Sequence, residues 1–302
     1  MKPSVRACLL CFAMAWVQSI LATENGDTTW PLGEQTVVPA LMPPPGGTEF
    51  YSYTVYYAAH SFRDNSGRSA IPGFKLGNFV QALRLVHTWD YTTESGLSFT
   101  SGIIGTGGHT KVEAGGDSDE RTGMRQTYIT PLNILYSPTP TLHLLGGVSV
   151  FKPLGGYDRN DLANTTPNYT TYISEFALTW FPRPEWEVSL APTFSFNERN
   201  RDTDYRSGGV FNVDYLLGYR LPSLPELQVG VAGYYTKQFS DDDSVRGANV
   251  PSGNLLQKLA IGPQLFYSFS PSTGVVLKWL HETNVKNGPM GDSVWLEAAF
   301  PL

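Results

Sequence analysis

Cysteine is almost missing from this chain: 302 residues contain two, Cys8 and Cys11, both near the start. That region reads as a secretory leader over residues 1–22, because Lys2 and Arg6 give a positive beginning, Ala7 to Ile20 is mostly apolar, and Ala22 suits a cleavage site. Leu10 before Cys11 is too bulky for lipoprotein processing, and Cys8 comes too early. Cleavage near Thr23 is therefore expected, and it leaves no thiol for a disulfide, thiolate catalysis or a cysteine metal site.

Long hydrophobic runs are missing as well. Mean hydropathy is −0.19, and after the leader no stretch reaches the roughly 18 consecutive apolar residues of a membrane-spanning helix. Basic charge is scarce: without Lys2 and Arg6 the 21 basic residues fall to 19 against 27 acidic ones, a net of −8. An exported acidic chain lacks the basic footprint that nucleic acid requires, so no nucleic-acid partner is expected.

Catalytic patterns are equally scarce. His60, His87, His109, His143 and His281 show no HExxH or other ligand spacing, and each suits a strand or loop. Asp241-Asp242-Asp243 fits a solvated acidic loop better than a cation site. Thr106-Gly107-Gly108-His109 lacks the Lys-Ser/Thr of a phosphate loop. A serine hydrolase would need a Ser/His/Asp set, which the sequence does not single out. No catalytic residue, metal or cofactor is expected, and the chain reads as a non-enzyme.

What the chain does have is aromatics (13%), glycine (30 residues) and a repeating alternation. Trp186, Val188, Leu190, Pro192, Phe194 and Phe196 alternate with Glu187, Ser189, Ala191, Thr193, Ser195 and Asn197, giving one greasy and one small or polar face. Tyr205, Phe211, Val213, Tyr215, Leu217 and Tyr219 do the same against Arg206, Asn212, Asp214, Gly218 and Arg220. One such run suits a soluble sandwich; many suit a transmembrane barrel. A membrane chain without an apolar helix must satisfy its backbone between strands, which requires closure. The expected fold is all-β, a transmembrane antiparallel up-and-down barrel of about twelve strands over residues 47–302, in the bacterial outer membrane and in contact with its lipid.

Strands are expected at 48–59, 77–90, 95–105, 123–136, 141–151, 169–181, 185–197, 204–221, 226–239, 255–269, 273–282 and 292–300, with no linker between them. Short links at 91–94, 137–140, 182–184, 222–225 and 270–272 should be periplasmic turns, four of the five stopped by proline. The links at 60–76, 106–122, 152–168, 198–203, 240–254 and 283–291 should be extracellular loops, with 198–203 the shortest. Pro131, Pro192 and Pro263 fall inside strands, where each removes a ladder donor, so bulges or shifted boundaries are expected. Around 77–90 the alternation is weak, with Val80, Ala82 and Val86 competing against Phe79, Leu83, Leu85 and Trp89 for the lipid face.

Residues 23–46 are rich in proline and glycine and show no strand period. They could form a periplasmic tail. They could also fold into the lumen as a plug, because Trp30, Leu32, Val37, Val38, Leu41 and Met42 are too apolar for an ideal disordered tail. Charged groups on the expected strands should face inward: Arg84, Arg125, Arg206, Arg220, Lys258 and Lys278, opposed by Glu175, Glu187, Asp214, Glu282 and Glu297. On the lipid face near mid-bilayer a basic one would cost roughly 2–4 kcal/mol. They line the expected substrate path or brace the lumen with salt bridges, and their mixed signs argue against strong ion selectivity.

Several motifs carry a family resemblance. Pro43-Pro44-Pro45-Gly46-Gly47-Thr48, the run FYSYTVYYAAHSFRDNSG, Pro153-Leu154-Gly155-Gly156-Tyr157-Asp158, Thr203-Asp204-Tyr205-Arg206-Ser207-Gly208, GYYTKQFSDD from Gly233, Ile261-Gly262-Pro263 and the ending WLEAAFPL occur in order along the mature chain. Together they resemble the outer-membrane family called "MetA-pathway of phenol degradation", which also includes a sphingosine-induced protein. The resemblance implies a barrel associated with catabolism of aromatic or other hydrophobic compounds, with passage of a hydrophobic or aromatic small molecule as the partner. It brings no catalytic residues. The ending departs from the usual barrel-assembly signal, since Phe300 is followed by Pro301-Leu302. A passive channel for such molecules is the expected function. A non-transporting structural or adhesive barrel is the alternative, and an outer-membrane lipid hydrolase is further off. Substrate, direction of passage and oligomeric state are not written in the sequence.

Overall fold

The computed structural model describes residue 26, residues 28–244 and residues 252–302. The expected leader over 1–22 and its cleavage near Thr23 lie outside the described residues. Fourteen strands follow in chain order: β1 (Thr48–Arg63), β2 (Lys75–Thr92), β3 (Leu97–Ala114), β4 (Asp117–Thr139), β5 (Leu142–Pro153), β6 (Thr171–Arg183), β7 (Trp186–Asn197), β8 (Tyr205–Arg206), β9 (Val210–Leu221), β10 (Leu224–Gln238), β11 (Asp243–Ser244), β12 (Gln257–Ser270), β13 (Thr273–Lys286) and β14 (Gly288–Pro301). Twelve form one closed antiparallel barrel, while β8 and β11 pair apart from it. Closure joins β1 to β14, with Tyr51 opposite Ala299 and Val55 opposite Trp295.

Period-two patterning sets the faces. On β7, Glu187, Ser189, Ala191, Thr193 and Ser195 are buried inside, while Trp186, Leu190, Phe194 and Phe196 are exposed outside. On β2 the ambiguity resolves: Phe79, Leu83, Leu85 and Trp89 face out, whereas Arg84, Val86 and Thr88 are buried within. The exterior is aliphatic at mid-height (Leu83, Ile103, Ile129, Leu190, Leu217, Leu277) and aromatic toward both ends. Trp89, Tyr91, Trp180, Trp186 and Phe269 lie near the short turns, and Tyr56, Phe79, Tyr172, Phe196 and Phe239 near the long loops. This is the girdled apolar band that a bilayer requires of a barrel, in which short turns are periplasmic.

Four expectations about the strands need correction. The expected loop 106–122 is strand: β3 and β4 pair out to Ala114 and Asp117 and turn at Gly115-Gly116, both at positive φ (63° and 100°). The expected loop 283–291 is also mostly strand, with β13 and β14 joined by Asn287 at φ 55°. Above the bilayer a strand needs no greasy face, so its polar sequence looks like loop. Conversely, the strand expected at 204–221 starts at Val210, and Tyr205 and Arg206 leave the wall. The Tyr205 hydroxyl donates to Asp242, the Gly208 amide donates to the same carboxylate at 2.7 Å, and Arg206 and Ser244 lie in the β8–β11 pair. This link, expected to be the shortest, thus extends through residue 209. Finally, of the three strand prolines only Pro131 sits at a register shift, between Ile129 and Leu132. Pro192 and Pro263 keep register opposite Val213 and Val231.

Candidate functional site

The lumen is occupied by the chain's own N-terminal segment. At the periplasmic end Gly46 donates to the Thr88 carbonyl (3.0 Å) and Thr88 to that of Gly47 (2.9 Å). Moving up the barrel, the Ala40 amide donates to Thr179 Oγ1 (3.2 Å) and the Val38 amide to Glu187 Oε1 (2.8 Å). The amides of Gly33 and Gln35 grip the two oxygens of Asp214, each at 2.9 Å. Gly33 has φ +88°, and a Cβ there would sit 2.6 Å from Leu280 Cδ1, so only glycine fits this bend. At the far end Gly26 abuts the Phe62 ring and Gly288. The segment therefore runs from the periplasmic turns toward the extracellular end, with Trp30 packed among Ile104, Tyr128, Phe151 and Ile173.

The inward charges largely hold this segment and one another. Lys278 Nζ contacts Glu297 (2.5 Å) and donates to Thr36 Oγ1 (2.9 Å) and the Glu34 carbonyl (3.2 Å). Arg84 lies 3.8 Å from Glu34 and donates to the Tyr53 hydroxyl at 3.4 Å. Glu187 also accepts from Ser189 (2.7 Å) and Gln228 (2.8 Å). Glu175 is buried beside Ser149 and Gln35. Lys258 pairs with Glu282 at 3.0 Å, and the hydroxyls of Tyr234 and Tyr57 donate to the same carboxylate at 2.6 and 2.8 Å. Arg125, half-buried, donates to Asn78 and Thr110, both at 2.9 Å.

Two expected members fall elsewhere. Arg206 is outside the lumen, 3.5 Å from Asp243 in the loop sheet; the alternation that put it inward breaks at Gly208-Gly209. Arg220 keeps the inward parity but sits at the periplasmic rim, donating to the Pro225 carbonyl at 2.8 Å.

Between the segment and the β1–β4 wall the packing leaves a cavity of about 150 Å³. Trp30, Leu32, Val55, Val80, Ile104 and Trp295 supply apolar surface, while Gln126, Arg125 and the Lys258–Glu282 pair supply polar surface. Sequence patterning pointed to the charges and missed this chamber, whose lining comes from the N-terminal segment and eight strands. Only inward parity on the tyrosine-rich first strand hinted at it.

Beside the chamber the wall is interrupted. β13 and β14 pair from Gly274 opposite Ala299 up to His281 opposite Asp292 and no further. Above that point β13 stays with β12, Val285 opposite Lys258, and β14 stays with β1, Gly288 opposite Arg63. Glu282 fills the break from inside, accepting the Gly291 amide at 2.7 Å. Outside, Asp292 accepts from Trp279 Nε1 (3.1 Å) and meets His281 Nδ1 at 2.8 Å.

Residues 59–298 match the model of the family described as "MetA-pathway of phenol degradation". An outer membrane channel from Pseudomonas putida F1 superimposes with a TM-score of 0.76 at 16% identity, covering 91% of this chain and 100% of that one. The β domain of the Bordetella autotransporter BrkA gives 0.50 at 10% identity, covering 86% and 100%. Both are similar in fold. No curated protein matches the sequence.

Proposed function

We propose that this chain, which belongs to the family described as "MetA-pathway of phenol degradation", is a passive outer-membrane channel that admits small hydrophobic or aromatic molecules. The observation that carries this reading is the mostly apolar chamber held between the N-terminal segment and the barrel wall. A twelve-strand barrel is narrow, and here its interior is closed by polar contacts to the N-terminal segment, which is unlike a water-filled pore. An ion crossing such a lumen would have to disrupt paired charges. An uncharged aromatic exchanges one apolar surface for another. The break between β13 and β14 begins beside Glu282, which lines the chamber, and lies where the strands rise above the bilayer, so it offers a small uncharged molecule an entrance from the extracellular side without an aqueous pore.

The experiment is uptake of radiolabelled toluene by a Gram-negative host with and without the protein, alongside Ala82→Trp. Ala82 lines the chamber, and an indole there would fill it. Protein-dependent uptake that Ala82→Trp abolishes, in a barrel that still migrates differently unboiled than boiled, is the expected result. Uptake that does not depend on the protein refutes the channel.

A further inference from the structure

We infer that the extracellular rim of the outer wall over β10, β12 and β13 binds a phosphorylated glycolipid of the outer leaflet, held by a row of Lys237, Gln257 and Lys286. This goes beyond the channel reading and does not depend on it. The first observation is register. Lys237 stands opposite Gln257, and Gln257 opposite Lys286. Their neighbours Thr236, Lys258 and Val285 are buried inside, so by alternation all three side chains of the row project outward, next to one another. Strands lie about 4.8 Å apart, which puts the two lysines roughly 10 Å apart along the row. One disaccharide headgroup can bridge that spacing.

The second observation is that the row is not neutralised. Among the described residues none of the three side chains has a hydrogen bond or an ion pair. Rim cations elsewhere are paired, Lys75 with Glu113 at 2.8 Å and Arg68 with Asp64 at 3.2 Å. Acidic side chains on the adjoining elements are already engaged. Asp242 accepts from Tyr205, Gly208 and Gln238, Asp243 pairs with Arg199 at 2.6 Å and Arg206 at 3.5 Å, and Asp292 is held by Trp279 and His281. The charge of the row is left for an anion from outside the chain.

The third observation is place. Lys237 shares its outward face with Tyr235 and Phe239, and Phe239 belongs to the aromatic girdle near the long loops. A lysine at that level lays its stem along apolar surface and sends its ammonium to the polar boundary, where an outer-leaflet glycolipid carries its phosphates. Next to Gln257 on the same face of β12 come Leu259 and Ile261, the second 46% exposed, which give acyl chains an apolar seat. Lysine meets phosphate as a point charge, and the carboxamide of Gln257 can donate to a sugar or phosphate oxygen between the two. A free phosphate ion would make no use of the apolar strip, so the occupant is the lipid.

The test uses full-length protein refolded in detergent without lipid and titrated with diphosphoryl lipid A, with lipid A stripped of both phosphates and with phosphatidylethanolamine, bound lipid being counted by native mass spectrometry. Wild type should retain diphosphoryl lipid A in preference to the other two. Lys237→Gln and Lys286→Gln should each weaken that binding about fivefold, the size of one lysine beside an anionic lipid surface. Lys237→Arg keeps the charge and should bind as wild type does, which separates loss of charge from loss of fold. Lys152→Gln is the control and should change nothing: Lys152 is also exposed on the outer wall, but it stands opposite Thr127 and has no second cation in its row. Equal retention of lipid A with and without phosphates overturns the site, as do glutamine variants at 237 and 286 that bind no more weakly than Lys152→Gln. Displacement of the lipid by an equal concentration of inorganic phosphate also overturns it, since that would mark a site for the free ion.

Discussion

Asp214 offers a direct measure of how firmly the N-terminal segment is held. Its carboxylate is fully buried and accepts two main-chain amides of that segment, from Gly33 and Gln35, at 2.9 Å each. Asn212 Nδ2 adds a third donor at 2.9 Å. In Asp214→Asn the amide oxygen keeps one partner, and the new NH₂ group faces the other N–H. The loss is one charge-assisted bond, about 1.5 kcal/mol after exchange with water. That raises the undocked population about tenfold. Asp214→Ala loses both bonds, about 3 kcal/mol, for roughly a hundredfold rise. Val37, half-buried against the wall, is the reporter: in a Val37→Cys background, labelling by a water-soluble maleimide should accelerate in that order. Open-channel events in planar bilayers should rise in parallel. Equal labelling rates across the series would show that the Asp214 contacts do not hold the segment in place.

Leu190→Arg puts a charge on the lipid face of β7 and should cost about 2–4 kcal/mol, read as loss of the unboiled gel form; Leu154→Arg, in an exposed loop, should leave that form intact. Lys278→Met removes a cation with 0% side-chain exposure and strands Glu297, so the midpoint of urea unfolding should drop by the equivalent of about 3–5 kcal/mol. Adding Glu297→Leu should recover most of it, and a silent single variant would refute the pairing argument. Gly291→Ala places a Cβ 1.9 Å from the Ala58 carbonyl oxygen and should block closure of β1 on β14, whereas Gly105→Ala, with nothing within 4 Å, should assemble normally. Quantifying the folded gel band for the two glycine variants checks this contrast.

How far the sequence could be read depended on which solvent each residue meets. Trp186 to Asn197 spelled out its faces because lipid on one side and a packed interior on the other enforce strict alternation. Thr106 to Thr122 and Thr283 to Gly291 lost that signal where the strands leave the bilayer, since water on both sides permits threonine, glycine and charge on either face. Tyr205 and Arg206 show the opposite error. They kept the period by chance, while the Tyr205 hydrogen bond to Asp242 and the Arg206 ion pair with Asp243, which no local pattern encodes, hold them off the wall. The chamber was illegible for a related reason: Trp30, Val55, Ile104, Gln126, Glu282 and Trp295 meet only after closure and share no spacing.

The mixed charge of the lumen follows from the segment inside it. An extended chain without strand period offers amides and carbonyls along its length, and each amide buried away from water needs an acceptor. Asp214 and Glu187 accept from the amides of Gly33, Gln35 and Val38, while Lys278 donates to the Glu34 carbonyl. Acceptors and donors of both signs are required in near balance for that purpose, whether or not any ion passes. The inward charges whose mixed signs argue against strong ion selectivity are thus, at Arg84, Glu187, Asp214 and Lys278, the partners of a folded-in segment. Lys258 and Glu282 are the pair that face the chamber and the break in the wall together. Neutralising both, as in Lys258→Met with Glu282→Gln, should change toluene uptake more than neutralising Lys278 with Glu297, because the second pair contacts the segment and does not line the chamber. Uptake that changes equally in the two double variants would show that the charges act only by holding the barrel together.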